Sequence, residues 1–309
     1  MNSMAASFVP DASGTSPKLL NHIPYLKLND GHQIPMLAYG LGTARSKDEA
    51  EKTTELTVMA IKNGYYHLDG AESYRNETEL GAAIKKSGVD REKLFVTTKL
   101  QSVKGDVRAA FSASLERLGL TYVDLYLIHS PYRASGPADL QRVWAELEKI
   151  QAEGLARSIG VSNFSVDDLK AVLQTARVTP AVNQIEFHPY LQHTPDGLLD
   201  FCREKKIALA AYGPLTAVTK ARPGPCDDAY AVLAKKYGVS DADVALRWCI
   251  DQGIVTITTS SKEQRLQEYM NRVPAFKLTP AEVERIAKEG EKKHFRGFWT
   301  NNFAADDRR

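Results

Sequence analysis

Asp69, Tyr74, Lys99 and His129 are residues whose types and spacing could do chemistry. Thirty positions separate Asp69 from Lys99, and thirty more separate Lys99 from His129. Each follows a strand-like run: Tyr65-Tyr66-His67-Leu68, Phe95-Val96-Thr97-Thr98 and Leu125-Tyr126-Leu127-Ile128. About 30 residues is the length of a strand–helix–strand unit, so parallel neighbours would deliver these groups to one rim. A free tyrosine ionises near pH 10, and a close cation lowers that value. Lys99 is the expected cation, and Asp69 the carboxylate that would keep it charged when buried. His129 could orient a carbonyl oxygen between itself and Tyr74. Such a set protonates an oxygen as negative charge develops there, an effect of roughly 10²–10⁴ in rate. Nothing in the quartet supplies a hydride, so reduction at this rim needs a cofactor.

The elements that must position the quartet alternate along the chain. Strands are predicted over 36–40, 65–69, 95–99, 122–129, 157–162, 181–186, 208–212 and 254–258. Helices are predicted over 47–63, 77–86, 107–118, 138–153, 166–175, 195–205, 241–252 and 262–271, several behind a Ser cap such as Ser46, Ser165 or Ser240. Eight such units are the number that closes an α/β (β/α)8 barrel. Strand parity would turn Tyr65, His67 and Asp69 inward together. Asn29-Asp30-Gly31 is a hairpin signal, placing an N-terminal β-hairpin cap on the barrel bottom. The loop over 213–228, containing Pro223-Gly224-Pro225, is long enough to be a flap over a ligand. An extra helix is expected behind Thr279 and Pro280, and the aromatic tail over 294–303 is expected to form a C-terminal loop over the barrel mouth. The organisation predicted is a disordered tail over 1–22 and one barrel domain over 23–309.

Composition sets bounds. The chain has 309 residues, 43% hydrophobic, 25% charged, with a formal charge of +2. That charge makes no large field for nucleic acid or a membrane surface. Lys85-Lys86, Lys205-Lys206 and Lys235-Lys236 read as solvated helix ends. Three scattered cysteines (Cys202, Cys226, Cys249) form no disulfide framework. No apolar run approaches the roughly 20 residues of a membrane span, and the start lacks the features of a signal peptide. A cytoplasmic enzyme, monomeric or weakly dimeric, is the expectation.

The segment His67-Leu68-Asp69-Gly70-Ala71-Glu72-Ser73-Tyr74-Arg75-Asn76-Glu77 resembles the signature of the aldo-keto reductase family. Gly160-Val161-Ser162-Asn163-Phe164 and Asn183-Gln184-Ile185-Glu186 resemble further segments of it, in order, over about 23–299. The nearest group is the fungal NADPH-dependent reductases of conjugated polyketones and ketolactones. The resemblance implies Tyr74 as general acid, Lys99 and Asp69 as its tuning pair, and His129 as the carbonyl-orienting residue. It implies NADPH as cofactor, with NADH at lower preference, and a small carbonyl compound as substrate. Ser162, Asn163 and Gln184 would hold the nicotinamide carboxamide, and Tyr212 would stack on the ring. Leu215 would line the pyrophosphate path. Thr259, Ser260, Arg265 and Glu268 would contact the adenosine end, with Arg265 gripping the 2′-phosphate. Asp69, Gly42 and Thr43 complete the implied cofactor contacts, and no metal is implied.

The chain departs from the pattern in places. Thr258-Thr259-Ser260 stands where many relatives carry Pro-Lys-Ser, so a phosphate-binding lysine is missing at Thr259. Tyr269 replaces a frequent asparagine, and Gly213 a frequent serine. Ala44, Gln101 and Ser130 occupy substrate-pocket positions that are commonly aromatic, predicting a wider, more polar pocket walled by Phe298 and Trp299.

Plainer readings stand beside these. Asp69–Lys99 alone could be a structural ion pair. His67, His188 and His193 read as structural, and Gly40-Leu41-Gly42-Thr43 is as compatible with a tight turn as with cofactor contact. Ser162-Asn163 could simply cap the next helix, and Trp299 could simply pack the tail. Two other functions also fit: a lyase using Lys99 as a Schiff-base amine, and a cofactor-sensing, partner-binding barrel without turnover.

Overall fold

Eight short strands lie side by side because a helical return after nearly every one carries the chain back to the same end. A computed structural model describes residues 22–42 and 48–309. An antiparallel hairpin comes first: β1 (Tyr25–Lys27) pairs with β2 (Gln33–Pro35), Leu26 opposite Ile34. Gly31 turns it with φ +94°, a left-handed conformation that suits glycine. The barrel strands are β3 (Leu37–Gly40), β4 (His67–Asp69), β5 (Phe95–Leu100), β6 (Val123–Ile128), β7 (Ala156–Ser162), β8 (Val182–Glu186), β9 (Ala208–Tyr212) and β10 (Val255–Thr258). They are parallel and close in the order β10-β3-β4-β5-β6-β7-β8-β9. Every residue of β5 and β6 is buried, as expected of strands covered on both faces.

The helices are α1 (Ala50–Lys62), α2 (Glu77–Ser87), α3 (Val107–Leu118), α4 (Pro137–Ala152), α5 (Val166–Leu173), α6 (Leu198–Glu204), α7 (Thr216–Thr219), α8 (Asp227–Tyr237), α9 (Asp241–Asp251), α10 (Glu263–Arg272) and α11 (Pro280–Glu291). Reciprocal caps start three of them: Ser165 with Asp168, Ser240 with Asp243, and Thr279 with Glu282. Their registers fix where each preceding loop ends, and those loops form the mouth.

Three expectations change. β4 begins at His67, and the Tyr65 hydroxyl donates to Leu266 O in α10 at 3.3 Å, so Tyr65 faces the helix layer rather than the interior. The segment read as one long flap holds α7 and runs directly into α8. Helix α6 starts at Leu198, because Gly197 in a left-handed turn precedes it. The Ser46 cap and the tail over 1–21 lie outside the described residues. His67 is satisfied inside the barrel, between Pro35 O at 3.0 Å and Thr97 Oγ1 at 3.2 Å. Among the described residues no helix is long and apolar enough to cross a membrane.

Candidate active site

Four chain segments bring the quartet together at the C-terminal rim. Asp69 ends β4, Lys99 lies near the end of β5, His129 follows β6, and Tyr74 closes a 3₁₀ turn (Glu72–Tyr74) just beyond β4. Lys99 is fully buried; its Nζ donates to Asp69 Oδ1 at 2.6 Å and to Gly70 O at 2.7 Å. An ammonium has three protons, so one remains for the Tyr74 hydroxyl beside it. The Nζ lies 5.1 Å from the Tyr74 ring centroid. Burial works against charge on Lys99, but Asp69 and Tyr74 outweigh it and raise its pKa. The site therefore holds an ammonium, not a free amine.

Tyr74 corrects an expectation. Burial raises its pKa above 10, and the Lys99 charge lowers it only in part, with Asp69 opposing. The phenol stays protonated at neutral pH. Its ring meets His129 edge-on, with centroids 5.5 Å apart. Burial, then the Lys99 charge, pulls the His129 imidazole down to about 3. A protonated phenol and a neutral imidazole thus border one space.

That space is a cavity of about 550 Å³ walled by Gly42, Asp69, Tyr74, His129, Ser162, Asn163, Gln184, Tyr212, Leu215, Thr258 and Thr259, among others. One network ties its middle together. Gln184 Nε2 donates to Asp69 Oδ2 at 2.7 Å, and Ser162 Oγ donates to Gln184 O at 2.7 Å. Asn163 Nδ2 donates to His129 O at 2.9 Å, and Tyr212 OH donates to Asn163 Oδ1 at 2.5 Å. Asn163 keeps φ +62° there, a strained value held by these bonds. Spare lone pairs on Asn163 Oδ1 could receive an amide N–H₂, and the Ser162 hydroxyl could turn to donate. At the far end, Thr258 Oγ1 and Thr259 Oγ1 are buried without a hydrogen-bond partner among the described residues. Unpaired buried hydroxyls are costly, so they fit a polar ligand at that end. A Cβ at Gly42 would lie 3.2 Å from Tyr74 Cζ, so glycine keeps the phenol clear. These features fit an elongated dinucleotide.

Other expected residues lie apart from the cavity walls. Arg265 is exposed in the first turn of α10. Glu268 accepts from Gln264 Nε2 and pairs with Arg272. The Ser260 hydroxyl accepts from Lys262 N at 3.0 Å, ordering the start of α10. Gln101 is exposed, its backbone N–H bound by Glu72, and Ser130 is half-buried away from the walls. Thr43 and Ala44 lie outside the described residues.

The tail does reach the mouth. Phe298 meets Tyr212 at 5.2 Å between centroids, and Trp299 meets His129 at 6.0 Å and Tyr132 at 5.1 Å. Its anchor was not foreseen: Glu186 accepts from Gly297 N at 2.7 Å, Phe298 N at 3.1 Å and His188 Nε2 at 3.0 Å. A carboxylate closing a strand was the available signal, as it is for Asp69. Ser73 also borders the cavity and was not singled out.

The model of the Aldo/keto reductase family matches residues 37–291. The NAD/NADP-dependent indole-3-acetaldehyde reductase of Schizosaccharomyces pombe is 39% identical, over 87% of this chain and 96% of that protein. The NADPH-dependent alpha-keto amide reductase of Saccharomyces cerevisiae is 37% identical, over 92% and 98%. A crystal structure of a Bombyx mori aldo-keto reductase in complex with NADP superposes with a TM-score of 0.79 at 35% identity, covering 86% of this chain and 92% of that one. The chain belongs to the aldo/keto reductase family. It is an oxidoreductase acting on carbonyl and alcohol groups.

Proposed function

We propose that this chain reduces a small aldehyde or ketone with NADPH, with Tyr74 as proton donor. One observation carries the reading: a charged, buried Lys99–Asp69 pair lies beneath a protonated phenol and beside a neutral imidazole, at the wall of one cavity. When bound, the reduced nicotinamide supplies the hydride. The protein's part is to hold the carbonyl oxygen between Tyr74 and His129 and to deliver a proton to it. As negative charge grows on that oxygen, Lys99 stabilises the phenolate left behind, and Asp69 keeps Lys99 charged.

Ser162, Asn163, Gln184 and Tyr212 would seat the nicotinamide, and Thr258 and Thr259 the far end. Arg265, exposed and with no side-chain hydrogen bond among the described residues, would reach the 2′-phosphate from α10. Trp299 and Phe298 give the substrate side an aromatic wall, with Tyr132 behind Trp299, which suits an unsaturated or aromatic substituent. Aldehydes, dicarbonyls and ketolactones are the proposed class. Lys99 is ill placed as a Schiff-base amine, since a nucleophilic amine must be neutral and this one is fully buried and charge-paired.

The test is NADPH consumption over a panel of aldehydes, diketones and ketolactones, by wild type and Tyr74→Phe. Turnover by wild type that the variant loses, with cofactor binding retained, is the expected result. A wild type that binds NADPH tightly but leaves it unoxidised across the whole carbonyl panel would instead mark a sensing barrel.

A further inference from the structure

Ser73 immediately precedes Tyr74, and its Oγ lies 3.1 Å from His129 Nδ1. Its hydroxyl has no other hydrogen-bond partner among the described residues. Among the described residues, the imidazole's other neighbours make no hydrogen bond to Nδ1. Tyr74 and Trp299 meet the ring edge-on, at 5.5 and 6.0 Å between centroids. The Asn163 amide bonds the His129 carbonyl oxygen instead of the ring. The other ring nitrogen, Nε2, has no hydrogen-bond partner among the described residues, and His129 borders the cavity.

A neutral imidazole has one N–H to place. With the proton on Nδ1, Nε2 turns a lone pair toward an arriving carbonyl oxygen, and the two repel. With the proton on Nε2, the ring donates to that oxygen, but Nδ1 then needs a donor of its own. An unpaired buried nitrogen is costly. Ser73 is the hydroxyl that removes this cost.

We propose that Ser73 is a positioning residue whose hydroxyl donates to His129 Nδ1, reserving the single imidazole proton for Nε2, where it faces the carbonyl oxygen. The hydroxyl can rotate, so it does not impose a tautomer on the free protein. It makes the productive tautomer fully bonded once an acceptor oxygen sits at Nε2. This rests on the reading of His129 as the carbonyl-orienting group. Ser73→Asp reverses the logic, because a carboxylate only accepts and so draws the proton to Nδ1.

The test combines two readouts. The first is a two-bond ¹H–¹⁵N correlation spectrum of ¹⁵N-histidine-labelled protein saturated with NADP⁺ and acetamide, an unreactive carbonyl-oxygen probe. His129→Asn assigns the signal. Wild type should show Nε2 protonated and Nδ1 as a hydrogen-bonded acceptor, and Ser73→Asp should move the proton to Nδ1. The second readout is steady-state kinetics. Ser73→Ala should lower kcat about 10-fold with the KM for NADPH unchanged, and Ser73→Thr should restore it to within about 3-fold because the hydroxyl returns. A wild-type complex protonated at Nδ1 overturns the proposal. So does a Ser73→Ala enzyme with unchanged kcat and unchanged tautomer, in a protein that Tyr74→Phe still silences. Failure of the reductase reading would look different: no carbonyl turned over by wild type, with the tautomer still measurable.

Discussion

At the scale of single residues, burial and charge compete, and the outcome differs from group to group. Lys99 stays charged because Asp69 sits 2.6 Å away, whereas burial wins at Tyr74 and His129. The sequence marked the quartet because Asp69, Lys99 and His129 close or follow strand-like runs and Tyr74 lies just beyond the first. It could not show that burial of the phenol outweighs Lys99, since that balance depends on how completely the rim closes. Ser73 went unnoticed for a similar reason: a serine in a short turn has no direction until the turn is seen. Arg265 is where residue chemistry gives a direct prediction. It lies in the first turn of α10, where backbone N–H groups favour an anion, with no carboxylate partner among the described residues. Arg–phosphate hydrogen bonds are worth about 1.5–3 kcal/mol. Arg265→Ala should therefore weaken NADPH binding about 10–100-fold and leave NADH nearly unchanged, by calorimetric titration. Equal loss for both cofactors would place Arg265 elsewhere in the site.

At the scale of elements, capped helices and apolar strands were legible, and contacts between distant segments were not. Helices α5, α9 and α11 begin at the Ser or Thr caps that the sequence displays. Helix α8 was absent from the predicted spans, although Lys235-Lys236 read as a helix end and Ala229, Tyr230, Leu233 and Ala234 are its buried face. Its N-cap is Cys226, with no side-chain cap bond, directly after Pro223-Gly224-Pro225, so every local signal there says turn. The tail over the mouth was expected from its aromatics, but its clasp joins Glu186 to Gly297, 111 positions apart. Glu186 is buried and receives two tail N–H groups. Glu186→Gln would replace one accepting oxygen with a donating amide and loosen Phe298 and Trp299. Trypsin should then cut after Arg296 about 10-fold faster, in line with losing one charged hydrogen bond of about 1.5 kcal/mol. Unchanged cleavage would show that Trp299 and Phe303 packing alone holds the tail.

For the whole molecule, the closed barrel buries imidazoles that must stay neutral, and this ties stability to pH. Burial lowers His67 and His193 to about 4 and His129 to about 3, from an ordinary 6.5. The unfolded chain thus binds these protons first. Their contribution is complete above pH 6.5 and is lost as pH falls toward the folded values, by about 1.5 kcal/mol per histidine between pH 6.5 and 5. Melting temperature should fall clearly over that interval and level off above pH 7; a flat profile from 5 to 7 would mean that the imidazoles stay solvated. The barrel itself was readable from eight alternating units, since a parallel sheet of that count closes. The proposed chemistry rests on Tyr74 giving up a proton held above the Lys99–Asp69 pair. The most direct measurement is a single turnover of a preformed NADPH complex mixed with a reactive diketone, comparing wild type with Tyr74→Phe. The variant should bind NADPH as tightly as wild type while its rate of cofactor oxidation falls by roughly 10²-fold or more. An undiminished rate would show that another group donates the proton.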